Sequence, residues 1–99
     1  MSTFQEIIKG EIPVLVDFHA DWCGPCKTMQ PILKVLKQKF GNKLKILKIN
    51  VDANPAVSKK FNVRGVPTFI LFSKGVESWR QSGIIEESNF TSIIENNIN

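Results

Sequence analysis

Cys23 and Cys26 are the two cysteines of the chain, held two residues apart in the run Asp21-Trp22-Cys23-Gly24-Pro25-Cys26-Lys27. Thiols at this spacing can form a structural staple, half of a metal site, or a pair that opens and closes as chemistry. As a staple the pair does little, because so short a loop barely restricts the unfolded chain. A chain of 99 residues can also build a core without one. Closed structural zinc sites use four ligands, and besides the cysteines the chain has one histidine, His19. His19, Cys23 and Cys26 would make three, with a partner chain supplying the rest, so no metal ligand set is assigned. Haem attachment needs histidine after the second cysteine, where Lys27 stands. Redox chemistry is the favoured reading.

The elements around the pair suit that chemistry. Met29, Ile32, Leu33, Leu36 and Phe40 recur at helical spacing, which predicts a helix from about Pro25 to Phe40, kinked at Pro31. Cys23 then sits where the backbone N–H groups are unpaired and the helix dipole is positive, so a thiolate is favoured there. Cys26, three residues on, lies on the same face of the first turn and can reach the same sulfur. One thiol attacks and the other resolves.

Before the pair, Val14-Leu15-Val16-Asp17-Phe18-His19 reads as a strand apolar on both faces, as in a covered parallel sheet. Ahead of it Ser2 and Thr3, with Gln5 and Glu6 three residues on, read as a capping box. It opens a short helix that buries Phe4, Ile7 and Ile8 and ends at Gly10. A second strand is expected over 44–51. Asn54 caps and Pro55 begins a short helix through Phe61. Strands at 68–72 and 76–81 flank the turn Ser73-Lys74-Gly75, and Glu86 and Glu87 begin a last helix that buries Phe90, Ile93, Ile94 and Ile98. The order is αβαβαββα. The first two strands should be parallel and the hairpin should extend the same sheet, with helices on both faces.

Hydrophobic residues make up 42% and charged ones 22%, an ordinary globular balance. We find no repeat, linker or low-complexity segment, so residues 1–99 are read as a single domain. The start of the chain shows no basic and apolar leader, and no run is long enough for a bilayer, which reads as a soluble cytoplasmic protein without a membrane partner. The net charge of +4 owes much to Lys27, Lys34, Lys37, Lys39, Lys43, Lys45 and Lys48. No basic block interleaves with aromatics, so this is a solvated helix face and not a nucleic-acid interface. At most it favours acidic partners.

Three further residues stand out. Asp17 is a carboxylate inside an apolar strand, and Lys48 does the same in the neighbouring one, so the two are expected to face each other beneath Cys26. Either a structural buried ion pair or a proton-handling group fits. Pro67 follows an extended apolar run, where it marks an edge strand or a turn. Trp22, beside Cys23, is either a half-buried aromatic or part of a docking patch.

The run Val16-Asp17-Phe18-His19-Ala20-Asp21-Trp22-Cys23-Gly24-Pro25-Cys26-Lys27 resembles the active-site segment of the thioredoxin family. Val63-Arg64-Gly65-Val66-Pro67-Thr68-Phe69 matches that family's second signature, and the match continues through Lys48, Asp52, Gly75 and Gly83. The resemblance implies an α/β thioredoxin fold and a protein-disulfide reductase, with Cys23 attacking and Cys26 resolving. It implies Asp17 as proton acceptor for Cys26, modulated by Lys48, and a cis Val66–Pro67 bond against the cysteines. Trp22, Gly24, Pro25, Gly65, Val66, Pro67, Gly83 and Ile84 would form the surface that docks an extended substrate. The partners implied are protein disulfides and a flavin-containing thioredoxin reductase. The working group is the reversible Cys23–Cys26 disulfide, no other cofactor is expected, and the molecule is a monomer. Gly24-Pro25 favours a reductant over an isomerase.

The chain departs from the family pattern in three places. The family usually opens with another strand, so the expectation here is a central four-stranded mixed sheet flanked by four helices, lacking that strand. His19 replaces an aromatic, commonly Trp, and either adds a pH dependence to the thiols or fills the aromatic's space. Ser82 stands where a small apolar residue usually precedes the glycine. A redox-inert docking module is the other function class, and the intact cysteine pair argues against it.

Overall fold

A computed structural model describes residues 3–98 of the chain. Its first helix, α1 (Phe4–Ile8), begins with a capping box. The Thr3 hydroxyl accepts from the Glu6 N–H (3.2 Å) and the Glu6 carboxylate accepts from the Thr3 N–H (3.4 Å). The alternative box on Ser2 lies outside the described residues. β1 (Val14–His19) follows, with its first five residues buried. α2 (Gly24–Phe40) is continuous through Pro31 and leads by a 3₁₀ turn (Gly41–Lys43) into β2 (Lys45–Asn50). β2 is one residue shorter at each end than the sequence suggests.

α3 (Pro55–Lys60) starts at the expected proline, yet Asn54 does not cap it with its side chain. The Asn54 amide turns back to donate to the Asn50 carbonyl (3.1 Å). β3 (Thr68–Ser73) and β4 (Val76–Ser82) form the hairpin. Lys74 and Gly75 at its tip both have positive φ (53° and 85°), the twist that a two-residue turn between antiparallel strands requires. α4 (Glu87–Asn97) closes the chain.

Among the described residues, four strands lie in the order β2-β1-β3-β4, with β1 parallel to β2 and β3 antiparallel to both β1 and β4. This is the four-stranded mixed sheet with four α-helices expected from the sequence. The alternation of β1 divides the core. Val14, Val16 and Phe18 pack with Ile8, Ile70 and Phe72 on the face covered by α1 and α3. Leu15 packs with Met29, Leu33, Leu36, Phe90 and Ile94 on the face covered by α2 and α4. Asp17 and His19 share the parity of Leu15 and lie on the α2 face. β4 departs from regular pairing between Leu71 and Phe72, where Trp79 pairs with Leu71 and Glu77 with Phe72. The interruption bends the edge.

Phe90 anchors α4. It is fully buried and meets Phe69 edge-on (centroids 5.0 Å apart) and Trp79 at a tilt (5.7 Å). Phe90→Ala leaves a cavity between α4 and the sheet and should cost about 3–5 kcal/mol. Urea unfolding checks this: the midpoint should fall with little change in the slope.

Candidate active site

β1 ends at His19, and four residues later α2 begins with Cys23 as its N-cap, the last residue in extended conformation. Cys23 and Cys26 are joined in a disulfide with Cα atoms 5.3 Å apart, and both are buried. The Cys26 N–H donates to the Cys23 sulfur (3.1 Å), so the sulfur occupies the place of a capping oxygen. When the pair is reduced, that N–H and the positive helix end favour charge on Cys23. Ala20, Val51 and Val66 pack around the two sulfurs. Gly24 and Pro25 lie exposed on the outer side of the turn.

A second segment faces the pair. The Val66–Pro67 peptide is cis, and Val66 packs against the cysteines while Pro67 is buried. Hydrogen bonds fix this segment from behind. Gly83, at φ 92°, donates its N–H to the Pro67 carbonyl (2.9 Å), and the Thr68 hydroxyl donates to the Gly65 carbonyl (2.6 Å). Thr68 has then used its one hydrogen, so at its 2.8 Å contact with the Ser82 hydroxyl it is Ser82 that donates. The departure at Ser82 is therefore part of the scaffold beneath Gly65. Among the described residues the Val66 N–H and C=O make no hydrogen bond, which leaves them open to an incoming strand.

Trp22 is 71% exposed, yet it is held in place. Its indole N–H donates to Asp52 (2.9 Å), and the Asp52 N–H donates to the Asn50 side chain (2.9 Å). Trp22, Val51, Val63, Arg64, Gly65 and Val66 line a recess of about 100 Å³ beside the disulfide. Asn50 and Asp52 were not singled out as site residues from the sequence. Asp52 enters the sequence reading only as a position of the family match; an exposed indole needs an acceptor to hold one orientation, and here the acceptor lies thirty positions away.

Asp17 is 1% exposed, and neither carboxyl oxygen has a hydrogen-bond partner. Burial pushes its pKa up, partly offset by His19, then Lys48, then Gln30. Gln30 approaches Asp17 without bonding it. Its amide N–H donates to the Cys26 carbonyl (3.5 Å) and its oxygen accepts from the Lys48 ammonium. Gln30 thus connects Cys26, the buried acid and the nearby cation, a position that its place on the helix alone did not suggest.

Lys48 corrects the sequence reading. It stands in register with Asp17, but it is exposed and makes no ion pair with it. β2 is an edge strand, so the long side chain carries its charge to solvent and bonds Gln30 on the way. Of the two readings left open by the sequence, the buried ion pair is absent: the structure has an unpartnered buried carboxyl with a cation at the rim. His19 is half-buried on the same face as Asp17. Among the described residues no group of three His, Cys, Asp or Glu side chains converges as metal ligands would.

The family model described as Thioredoxin matches residues 1–96. Thioredoxin from Pseudomonas aeruginosa is 38% identical over 94 residues, covering 95% of this chain and 87% of that protein. Thioredoxin from Rickettsia bellii is 37% identical over 94 residues, covering 95% and 90%. Among solved structures, a point-mutant thioredoxin from Halobacterium salinarum superimposes with a TM-score of 0.87 at 34% identity, over 96% of this chain and 82% of that one.

The buried acid makes stability depend on pH in a defined direction. An acid whose folded pKa is raised stabilises the fold fully below the ordinary aspartate range, and that contribution is lost as pH rises through the folded value. Asp17→Asn should therefore stabilise the protein at neutral pH, because the neutral amide replaces a carboxylate whose charge is penalised by burial. The gain should shrink towards zero in acid. Urea unfolding of both proteins across the pH range measures it, and a pH-independent difference would mean that the carboxyl is not the cause.

Proposed function

The chain belongs to the thioredoxin family and is a thiol–disulfide oxidoreductase, and on that premise we propose that Cys23 attacks, Cys26 resolves and Asp17 accepts the proton between them. The observation that carries this division is the contact between the Cys26 N–H and the Cys23 sulfur at the start of α2, which favours a thiolate at Cys23. The Cys23 thiolate attacks one sulfur of a substrate disulfide, forming a mixed disulfide and expelling the other substrate sulfur as thiolate. Cys26 then loses its proton to the Asp17 carboxylate and attacks the Cys23 sulfur. The second substrate thiolate leaves. Two electrons have moved to the substrate, and the pair has become the disulfide of this structure. Lys48, acting through space, and Gln30 beside it draw Asp17 towards its charged form, the form that accepts a proton.

Trp22, Gly65, Val66, Pro67 and Gly83, with Gly24, Pro25 and Ile84 at the rim, form the surface for the substrate chain. An extended segment pairs with the free Val66 N–H and C=O while its apolar side chains meet Trp22 and Ile84, both exposed. Substrates are protein disulfides, and a flavin-containing thioredoxin reductase returns electrons to the pair. The protein works as a monomeric single domain in the cytoplasm, with the cysteines as its redox group and neither nucleic acid nor membrane as partner. No helix among the described residues is long and apolar enough to cross a membrane.

Cys26→Ser should still attack a model disulfide and then accumulate as a stable adduct, visible by mass spectrometry. Cys23→Ser should form none at comparable rates. Adducts from Cys23→Ser alone would reverse the two roles. Asp17→Asn should form the mixed disulfide normally and resolve it more slowly, by about a hundredfold or more for a positioned proton acceptor.

His19 lies on the Asp17 face at the end of β1 and favours the charged carboxylate. We assign it a modulating role, since a protonated imidazole there supports negative charge on Asp17 and Cys23. The pH profile of Cys23 alkylation in the reduced protein should shift on His19→Trp between about pH 5 and 8. Superimposable profiles would leave His19 with a packing role alone.

A further inference from the structure

β2 is an edge strand, and its outer side is open. The Lys45 N–H bonds to the Pro13 carbonyl (2.9 Å) and the Val51 N–H to the His19 carbonyl (2.8 Å), so the odd-numbered residues turn their backbone towards β1. By alternation the backbone groups of Leu44, Ile46, Lys48 and Asn50 face outward. At the two ends the carbonyls are already used: Lys37 donates to the Leu44 carbonyl (2.7 Å) and the Asn54 N–H to the Asn50 carbonyl (3.0 Å). Between them, among the described residues, Ile46 and Lys48 have no hydrogen-bond partner for either backbone group, and Asn50 has none for its N–H. The free edge is short and has defined limits.

This edge lies in a groove of about 460 Å³ between α1 and α2. Its floor is apolar, with Ile7 and Leu47 on the α1 side and Leu33 and Ile46 on the α2 side. Four lysines rim it, Lys34, Lys37, Lys45 and Lys48, and no acidic residue lines it. Lys37 and Lys48 are tied to neighbouring oxygens, whereas the ammonium groups of Lys34 and Lys45 have no partner among the described residues.

We propose that this groove docks an extended acidic segment of a partner protein, added as a strand beside β2 and separate from the surface around Cys23. The open N–H and C=O groups supply main-chain pairing, and the guest's alternate apolar side chains, which share one face of its strand, meet Ile7 and Leu47 on the α1 side. Its carboxylates meet the lysine rim. Charge decides against a second copy of this chain, because pairing two such edges would bring lysine against lysine in a molecule of net charge +4. Exposed lysines also keep the edge from pairing indiscriminately, so the groove selects for acidic strands.

The probes are synthetic peptides of about ten residues, enough for one strand. One alternates glutamate and valine, one alternates lysine and valine, and a third is the acidic peptide N-methylated at alternate positions. They are titrated into the ¹⁵N-labelled oxidised protein. Saturable shifts at the Ile46, Lys48 and Asn50 amides are expected for the acidic peptide and not for the basic one. N-methylation should weaken binding about tenfold or more, as loss of main-chain pairing would. Lys34→Glu with Lys45→Glu should weaken it by at least as much and leave insulin reduction unchanged, since both side chains are exposed and distant in role from the thiols. The proposal is overturned if shifts fall only at Trp22 and Val66, if the methylated or basic peptide binds equally well, or if the protein self-associates through this edge.

Discussion

β1 is paired to β2 on one side and to β3 on the other, with helices covering both of its faces. Five of its six residues are buried, and the rest of the molecule takes its position from that burial. The strand's carboxyl end, where α2 starts, is therefore held from four directions. A redox pair needs such a place, because two sulfurs must meet at bonding distance in one state and remain neighbours in the other. Cys23 and Cys26 sit on the first turn of a 17-residue helix whose apolar stripe is locked into the core. Opening the disulfide leaves that helix anchored by Met29, Leu33 and Leu36, none of which belongs to the turn itself.

The same burial gives Asp17 its character. In a solvated strand it would be an ordinary carboxylate, but between Leu15 and α2 it loses water without gaining a hydrogen bond. Local stability is given up at one position, and an acid that holds its proton more readily is obtained next to Gln30, which also bonds the Cys26 carbonyl. Charges at the rim limit the effect. His19 and Lys48 act through space and Gln30 from nearby, so the carboxyl stays responsive to its surroundings. A carboxyl at this position costs stability, which is why the violation of the apolar pattern was visible in the sequence at all.

Most of the architecture was legible because it follows from short-range rules. Helical spacing in α2, two-sided apolarity in β1 and the Lys74-Gly75 turn each specify an element locally, and the order of elements then leaves few ways to arrange the sheet. What was not legible depends on where strands end up relative to solvent. Lys48 and Asp17 look alike as charges in apolar strands, but one lies on an edge and the other in the centre, and only the strand order distinguishes them. Asn54 shows the same limit at shorter range: its sequence context suits a cap, while the neighbouring Asn50 carbonyl competes for its amide. The Trp22–Asp52 bond, the Ser82–Thr68 link and the position of Gln30 join segments whose adjacency no periodicity reports. The redox reading of the cysteine pair follows from its spacing and helix position, whereas the Val66–Pro67 segment is placed beside it through resemblance, since spacing alone leaves Pro67 as an edge or a turn.

An edge strand and an active-site end are separate consequences of one sheet order. The carboxyl end of β1 gathers the redox residues, while the lateral side of β2 leaves backbone groups and lysines uncovered. Lys48 belongs to both places. Its backbone lies on the free edge and its ammonium reaches Gln30, next to the Cys26 carbonyl and Asp17. A carboxylate docked in the groove would compete with Gln30 for that ammonium and weaken the pull of Lys48 towards the charged form of Asp17. Occupation of the edge would then raise the tendency of Asp17 to hold its proton, and it would do so without any contact between the docked strand and either sulfur.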